Sequence, residues 1–379
     1  MDFSEHICLC ALTRVFGNYP AAGKELLESF GSAEELFSAP VEELSRRLGS
    51  RADLAVLIGH HALEESEKEL ERLERGGQRF IAFNDPDYPS RLLECPDHPI
   101  GIYVRSGGVM TDIFEMRPCI AIVGTRDITP YGREMCARIV KTLAESYIQP
   151  VIVSGLAYGA DCIAHTTALD CGIGTVGVMA TGMDRIYPYS HRELALRIAS
   201  DPFGALVSDY PCGTSPVALN FLRRNRIIAG LCNATIVIES KRKGGSLVTA
   251  KYAVDYNRDL YALPGRIDDT CSGGCNSLIS TRMAEIITSP GELSEKLGLK
   301  RPRSRNKNGF KEEMKNKYGD GSREYELAMK IYADRGVDYS TLVSRTGWTW
   351  GDVVSTAAIL ESDGVITTDM LQRCSTRMF

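Results

Sequence analysis

Cys119-Ile120-Ala121-Ile122-Val123 is a continuous apolar run followed at once by Gly124-Thr125-Arg126 and an amphipathic stretch from about Tyr131. A short run with no polar alternation, bounded by glycine, is the pattern of a strand covered on both faces. The unit then recurs. Val151-Ile152-Val153 leads through Ser154-Gly155-Leu156-Ala157-Tyr158-Gly159 into a helical stretch ending near Ala168, and two more strands run from Thr175 to Met179 and from Ala234 to Glu239. The last opens into Lys243-Gly244-Gly245-Ser246-Leu247-Val248-Thr249. Strands alternating with helices predict an α/β fold with a parallel, doubly wound sheet, whose ligands bind beyond the carboxyl ends of the strands.

The glycine turns fall at those ends, where backbone amides and helix N-termini can approach an anion. Neither the dinucleotide fingerprint nor the phosphate loop of nucleoside triphosphatases is present, because Gly155 and Gly159 are spaced wrongly for the first and no glycine turn ends in Lys-Ser or Lys-Thr for the second. The other anion-binding signal is Phe221-Leu222-Arg223-Arg224-Asn225-Arg226 set against the apolar Ile227-Ile228-Ala229. Guanidinium groups donate bidentately to phosphate and stay charged. The competing reading is that these arginines pair with carboxylates inside the protein. On the first reading, Arg126, Arg224, Arg226 and the amides of Gly155, Gly244 and Gly245 form a phosphate basin, and Phe221 offers a face for an unstacked base.

Taken together, Val123 to Arg126, Thr129 to Gly132, Ser154 to Asp161 with Ala164-His165, Thr181-Gly182 with Ile186-Tyr187-Pro188, Asn225 to Leu231, Gly244 to Ala250, Pro264-Gly265 and Gly274 to Ile279 resemble the DprA/Smf family, in order across residues 119–287. The resemblance implies an extended Rossmann fold that binds and protects single-stranded DNA and helps load RecA recombinase during natural transformation, without catalysis and without a cofactor. It implies nucleic-acid contacts at Gly124, Thr125, Arg126, Ser154, Gly155, Gly159, Phe221, Arg223, Arg224, Asn225, Arg226, Gly244, Gly245, Ser246 and Thr249. It also implies a homodimer through Leu278, Ile279, Ile286 and Ile287, a segment whose pattern fits either an internally packed edge strand or an exposed pairing surface. Three departures from the family pattern are Thr125 in place of serine, Leu222 in place of the proline after the phenylalanine, and Gly244 in place of the first serine of Ser-Gly-Ser.

Two rivals remain. Nucleoside-phosphate hydrolases of the lysine-decarboxylase-like superfold use a double-glycine turn followed by a catalytic glutamate, yet no carboxylate follows Gly245 before Asp255. A winged-helix regulator with a ligand-sensing Rossmann domain needs basic residues on its reading helix, whereas 349–363 holds Asp352, Glu361 and Asp363 and no lysine or arginine.

Composition adds limits. A net charge of -5 argues against binding nucleic acid by bulk attraction, so any grip must be local. Twelve scattered cysteines without zinc spacing read as reduced thiols of a cytoplasmic chain with no metal, and no signal peptide or membrane span is expected. His165, beside Asp161, reads as a residue that orients the turn.

The expected domains are a helical, sterile-alpha-motif or helix-hairpin-helix-like unit over 1–75, the Rossmann domain with its connecting segment over 76–296, a basic flexible linker over 297–321 and a winged-helix-like unit over 322–379. The linker is marked by Lys300, Arg301, Arg303, Arg305, Lys307, Lys311, Lys315 and Lys317. The turn Gly17-Asn18-Tyr19-Pro20 lacks the glycines of a DNA-gripping hairpin, so the first unit is not expected to touch DNA directly.

Overall fold

The computed structural model describes residues 4–300, 307–334, 336–369 and 373–376. They form two compact units, 1–300 and 301–379.

Nine strands of the first unit make one sheet among the described residues: β1 (Arg79–Ala82), β2 (Gly101–Ser106), β3 (Cys119–Val123), β4 (Val151–Ser154), β5 (Thr175–Val178), β6 (Ala205–Ser208), β7 (Ala234–Val237), β8 (Asp259–Ala262) and β9 (Glu285–Ile286). Their order is β1-β2-β6-β5-β4-β3-β7-β8-β9. From β6 to β9 every pairing is parallel, while β1 and β2 join antiparallel at one edge. The connecting segment at the start of the Rossmann domain therefore supplies two strands of the sheet.

The apolar run that announces β3 is explained by its two covered faces. Cys119, Ala121 and Val123 enter one core with Ile227, Ile228, Ala250 and Ala253, from the helices Ala218–Gly230 and Ser246–Asp255. Ile120 and Ile122 point the other way, against Cys136, Ile139 and Leu143 of Pro130–Ala144 and Ala160, Ala164 and Ala168 of Ala160–Asp170. Period-two alternation thus feeds two cores at once.

Helices within residues 5–75 share a third core with the antiparallel edge of the sheet, where Leu9, Leu12 and Phe16 meet Phe80, Tyr103 and Leu206. The last helix of this region, His60–Arg75, follows a 3-10 run over Gly49–Leu57. From that helix, Glu69, 2% exposed, accepts the Cys212 backbone N–H at 2.6 Å and pairs with Arg14, which ties these helices to the loop after β6.

In the second unit, helices Arg323–Ala333, Tyr339–Thr346 and Trp350–Ser362 pack on a sheet of order β10-β12-β11, formed by Val337–Asp338, Ile366–Thr368 and Arg373–Thr376. The helix–strand–helix–helix–strand–strand order is that of a winged helix. Part of the expected flexible linker is itself helical, over Lys307–Tyr318. Phe310 and Met314, one turn apart, are buried in the second unit's core, a signal outweighed in the sequence by the surrounding lysines. Of those cations, Lys300 pairs with Glu295, Lys315 with Asp320 and Lys317 with Asp363, whereas Arg301, Arg303 and Arg305 lie outside the described residues.

Replacing Glu69 by Ala strands a buried N–H and unpairs Arg14, so urea unfolding should show a loss of about 2 kcal/mol, discounted for the partial exposure of the arginine. An unchanged midpoint would mean that this tie carries no stability.

Candidate nucleic-acid interface

The sheet order reverses at β3, with β4 on one side and β7 on the other. At the carboxyl ends of these strands three turns interlock. Thr125 N–H donates to Glu239 O at 2.8 Å, and the Ala160 amide donates to Thr125 O at 3.3 Å. Gly159 has φ 76°, and a Cβ there would stand 2.3 Å from Thr125 O. A Cβ on Gly124 would lie 2.7 Å from that of Ala160. Ser154, fully buried, donates to Ile122 O at 2.6 Å. Ser154, Gly155 and Gly159 therefore shape the wall of the site without lining it.

What does line it is a cleft of about 300 Å³ that gathers Gly124, Thr125, Arg126, Phe221, Arg224, Asn225, Gly244, Gly245, Ser246 and Thr249. The helix Ala218–Gly230 contributes Phe221, Arg224, Asn225 and Ile228, at the i, i+3, i+4, i+7 spacing of one face. That spacing sends Arg223 and Arg226 elsewhere. Arg226, 6% exposed, pairs with Asp209 at 2.6 Å and donates to Asp97 O at 2.6 Å, while Arg223 donates to the Asn18 side chain. For Arg226 the internal-pairing reading is the one realised, and it does not line the basin.

Arg224 forms the basin's floor. It is 4% exposed, and its Nη1 donates to Gly155 O at 2.7 Å and to Val178 O. Burial pushes the guanidinium down to about 10, with Asp161 acting against that shift. Asp161 is in turn raised by burial, and the Arg224 charge together with the Ala157 N–H opposes the rise. Asn225 spends its amide on Gly245 O at 3.3 Å, which fastens the double-glycine turn to the same helix. The rim carries exposed Arg126 and Lys243, together with Lys241, which pairs at 3.6 Å with Asp127, a carboxylate that also borders the cleft. The two lysines were not singled out in the sequence, although the run Lys241-Arg242-Lys243 directly ahead of two glycines carries the signal.

Phe221 is less open than a bare stacking platform. Its ring centroid lies 5.4 Å from Arg126 Cζ and 6.0 Å from Arg224 Cζ, and the Tyr187 ring meets it edge-on at 5.4 Å. Tyr187 and Tyr158, both about half exposed, add aromatic faces on neighbouring turns.

At the far edge, the segment proposed for dimerisation divides. Leu278 packs into one core and Ile287 into the other, so these two cannot form a pairing surface; Ile286 is 39% exposed on edge strand β9, and Ile279 is partly buried. Among the described residues no helix is long and apolar enough to cross a membrane, and no group of three or more His, Cys, Asp or Glu side chains could hold a metal ion.

His165 does not orient the turn through Asp161. It is fully buried, with Nδ1 2.7 Å from Thr175 Oγ1, whose proton goes to Ile152 O. The hydroxyl thus accepts from Nδ1–H, and Nε2 has no partner. A proton on Nε2 would be stranded, and burial depresses the group from 6.5 to about 3.

Two outcomes follow from these burials. Arg226→Ala leaves Asp209 charged and dry and should cost about 3 kcal/mol in chemical unfolding, whereas Arg126→Ala, exposed, should leave stability unchanged. For His165 the folded pKa lies below the unfolded one, so its contribution is present above about 6.5 and is lost as pH falls toward about 3. Stability should drop by roughly 2 kcal/mol between about pH 7 and about pH 5. The drop should shrink in His165→Gln, and an identical pH profile for the two proteins would remove this histidine from the account.

Residues 79–298 match the family described as DNA recombination-mediator protein A. Protein Smf of Synechocystis sp. is 36% identical over 274 residues, 72% of this chain and 66% of that protein. DNA processing protein DprA of Streptococcus pneumoniae is 37% identical over 214 residues, 56% of this chain and 72% of its own length. The chain thus spans about two thirds of these relatives. The X-ray structure of DprA from Streptococcus pneumoniae superposes with a TM-score of 0.65 at 29% identity, covering 78% of this chain and 98% of the other. A structure of DNA processing protein A from Helicobacter pylori, reported for its single-stranded DNA binding mode, gives 0.50 at 30% identity over 55% and 92%. With the match running from β1 past β9, and so through every turn that shapes the cleft, the chain belongs to the DNA recombination-mediator protein A family.

Proposed function

We propose that this chain binds single-stranded DNA in the cleft at the switch of strand order and acts as a recombination mediator in the cytoplasm. The carrying observation is the exposed cationic rim of Arg126, Lys241 and Lys243 around a fixed floor of Arg224, facing the N-terminus of the helix Ser246–Asp255. Phosphates fit such a rim through charge and backbone amides, and neither contact reads sequence. The Helicobacter pylori relative supports the same ligand, since its structure reports a single-stranded DNA binding mode. Family membership supports the further reading that the protein hands strands to RecA during transformation, and that it pairs with a second copy near the exposed Ile286.

The hydrolase alternative needs a free carboxylate beside the double-glycine turn. Glu239 is committed to Thr129, accepting its N–H at 2.9 Å and its hydroxyl at 2.5 Å, Asp161 is held by Ala157, and the exposed Asp127 pairs with Lys241 at 3.6 Å. These engagements favour binding over catalysis. Release of free base from a nucleoside monophosphate by the purified protein would reverse that preference.

Arg126→Ala and Lys243→Ala should each weaken binding to oligonucleotides of differing sequence by similar factors, and flatten the salt dependence by about 0.7 per lost contact. A duplex of equal length should bind more weakly. Fluorescence anisotropy at two salt concentrations measures both, and unchanged affinity in the two folded variants would sink the assignment.

A further inference from the structure

The basin does not end at Lys243. Lys243 and Gly244 also line a second cleft, of about 560 Å³, that passes over the helix Ser246–Asp255 and is bordered by exposed Lys251 and by Tyr252. Tyr252 in turn lines a third, of about 310 Å³, whose far wall is the N-terminal turn Gly17-Asn18-Tyr19-Pro20 with Arg51. All three clefts lie within the first compact unit.

Chemistry along this line alternates cations with aromatic rings. Tyr252 stacks on Tyr256, with centroids 5.7 Å apart and planes at 27°. Tyr19 is 41% exposed, and Arg51 Cζ stands 4.7 Å from its ring centroid. A guanidinium resting on a ring keeps its donors directed outward, where a phosphate can meet them. The opposing carboxylates are Asp255, on the second cleft, and Asp97, on the third; the latter already accepts the Tyr256 hydroxyl at 2.5 Å. Arg242, Lys243, Lys251 and Arg51 outnumber them. The third wall is also held in register with the basin, because Asn18 accepts from Arg223 on the helix that carries Arg224.

We propose that a single strand leaving the basin continues over Lys243, Lys251 and Tyr252 to Tyr19 and Arg51, so that the N-terminal helical region extends the DNA site. This rests on the basin's being a single-strand site. The absence of hairpin glycines at Gly17–Pro20 argues against amide contacts there, but an arginine supported by an exposed tyrosine grips a strand by a different chemistry.

The test compares two oligo-thymidylates of about 5 and about 15 nucleotides, the shorter able to fill only the basin. In the full chain, Lys251→Ala combined with Arg51→Ala should leave the short oligomer's affinity unchanged while weakening the long one about fivefold and lowering its salt slope by about 1.4. Tyr19→Leu should weaken only the long oligomer, by a similar factor. Equal affinity of parent and variants for the long oligomer overturns the track, as does an equal loss for both lengths. Parent protein that binds neither oligomer overturns the basin reading itself, a result distinct from either.

Discussion

Arg224 is the strut on which the binding surface depends. A guanidinium removed from water carries a large desolvation cost unless donors and charge are matched. Here the carbonyls of Gly155 and Val178 accept from it, and Asp161 supplies opposite charge. The same contact explains why residue 155 has no side chain, since a Cβ there would sit 2.5 Å from Arg224 Nη2. The helix Ala218–Gly230, the turn after β4 and the end of β5 are thereby locked to one another, and Asn225 extends the lock to the double-glycine turn. Rigid turns matter for a ligand held by backbone amides, because any freedom in the turn must be lost on binding.

An acidic chain can hold a polyanion when its cations are gathered where the anion sits. The cleft gathers Arg126, Arg224, Lys241 and Lys243 against two carboxylates, Asp127 and Asp161, whereas the carboxylates of the helix His60–Arg75 belong to the helical region beyond the antiparallel edge of the sheet. At physiological salt the Debye length is about 8 Å, so charges farther away are largely screened and the local sign decides. Net charge therefore bears on encounter and solubility more than on the site.

Much of the architecture was legible because it rests on short-range rules. An unbroken apolar run means a strand covered twice, and β3, β4, β5 and β7 are found where those runs stand. The turns Gly124–Arg126 and Gly244–Ser246 were recognisable as site elements for the same reason. Less visible were β1 and β2, whose four and six residues lie in a stretch punctuated by prolines, and the helix Lys307–Tyr318, whose two core residues are hidden among lysines.

By itself the sequence determined the α/β alternation around β3, β4, β5 and β7, the family, and the kinds of group that meet at the carboxyl edge, since these depend on local periodicity and residue type. It could not assign each arginine of Phe221–Arg226 to a side, because a helix of 3.6 residues per turn sends neighbours to different faces and only the packed neighbours reveal which face is the cleft. Tertiary structure gave Arg224 to the basin, Arg226 to Asp209 and Arg223 to the N-terminal turn. The same holds for Leu278 and Ile287, whose apolar character is compatible with a core or a surface until the opposing layers are in place, and those layers bury both.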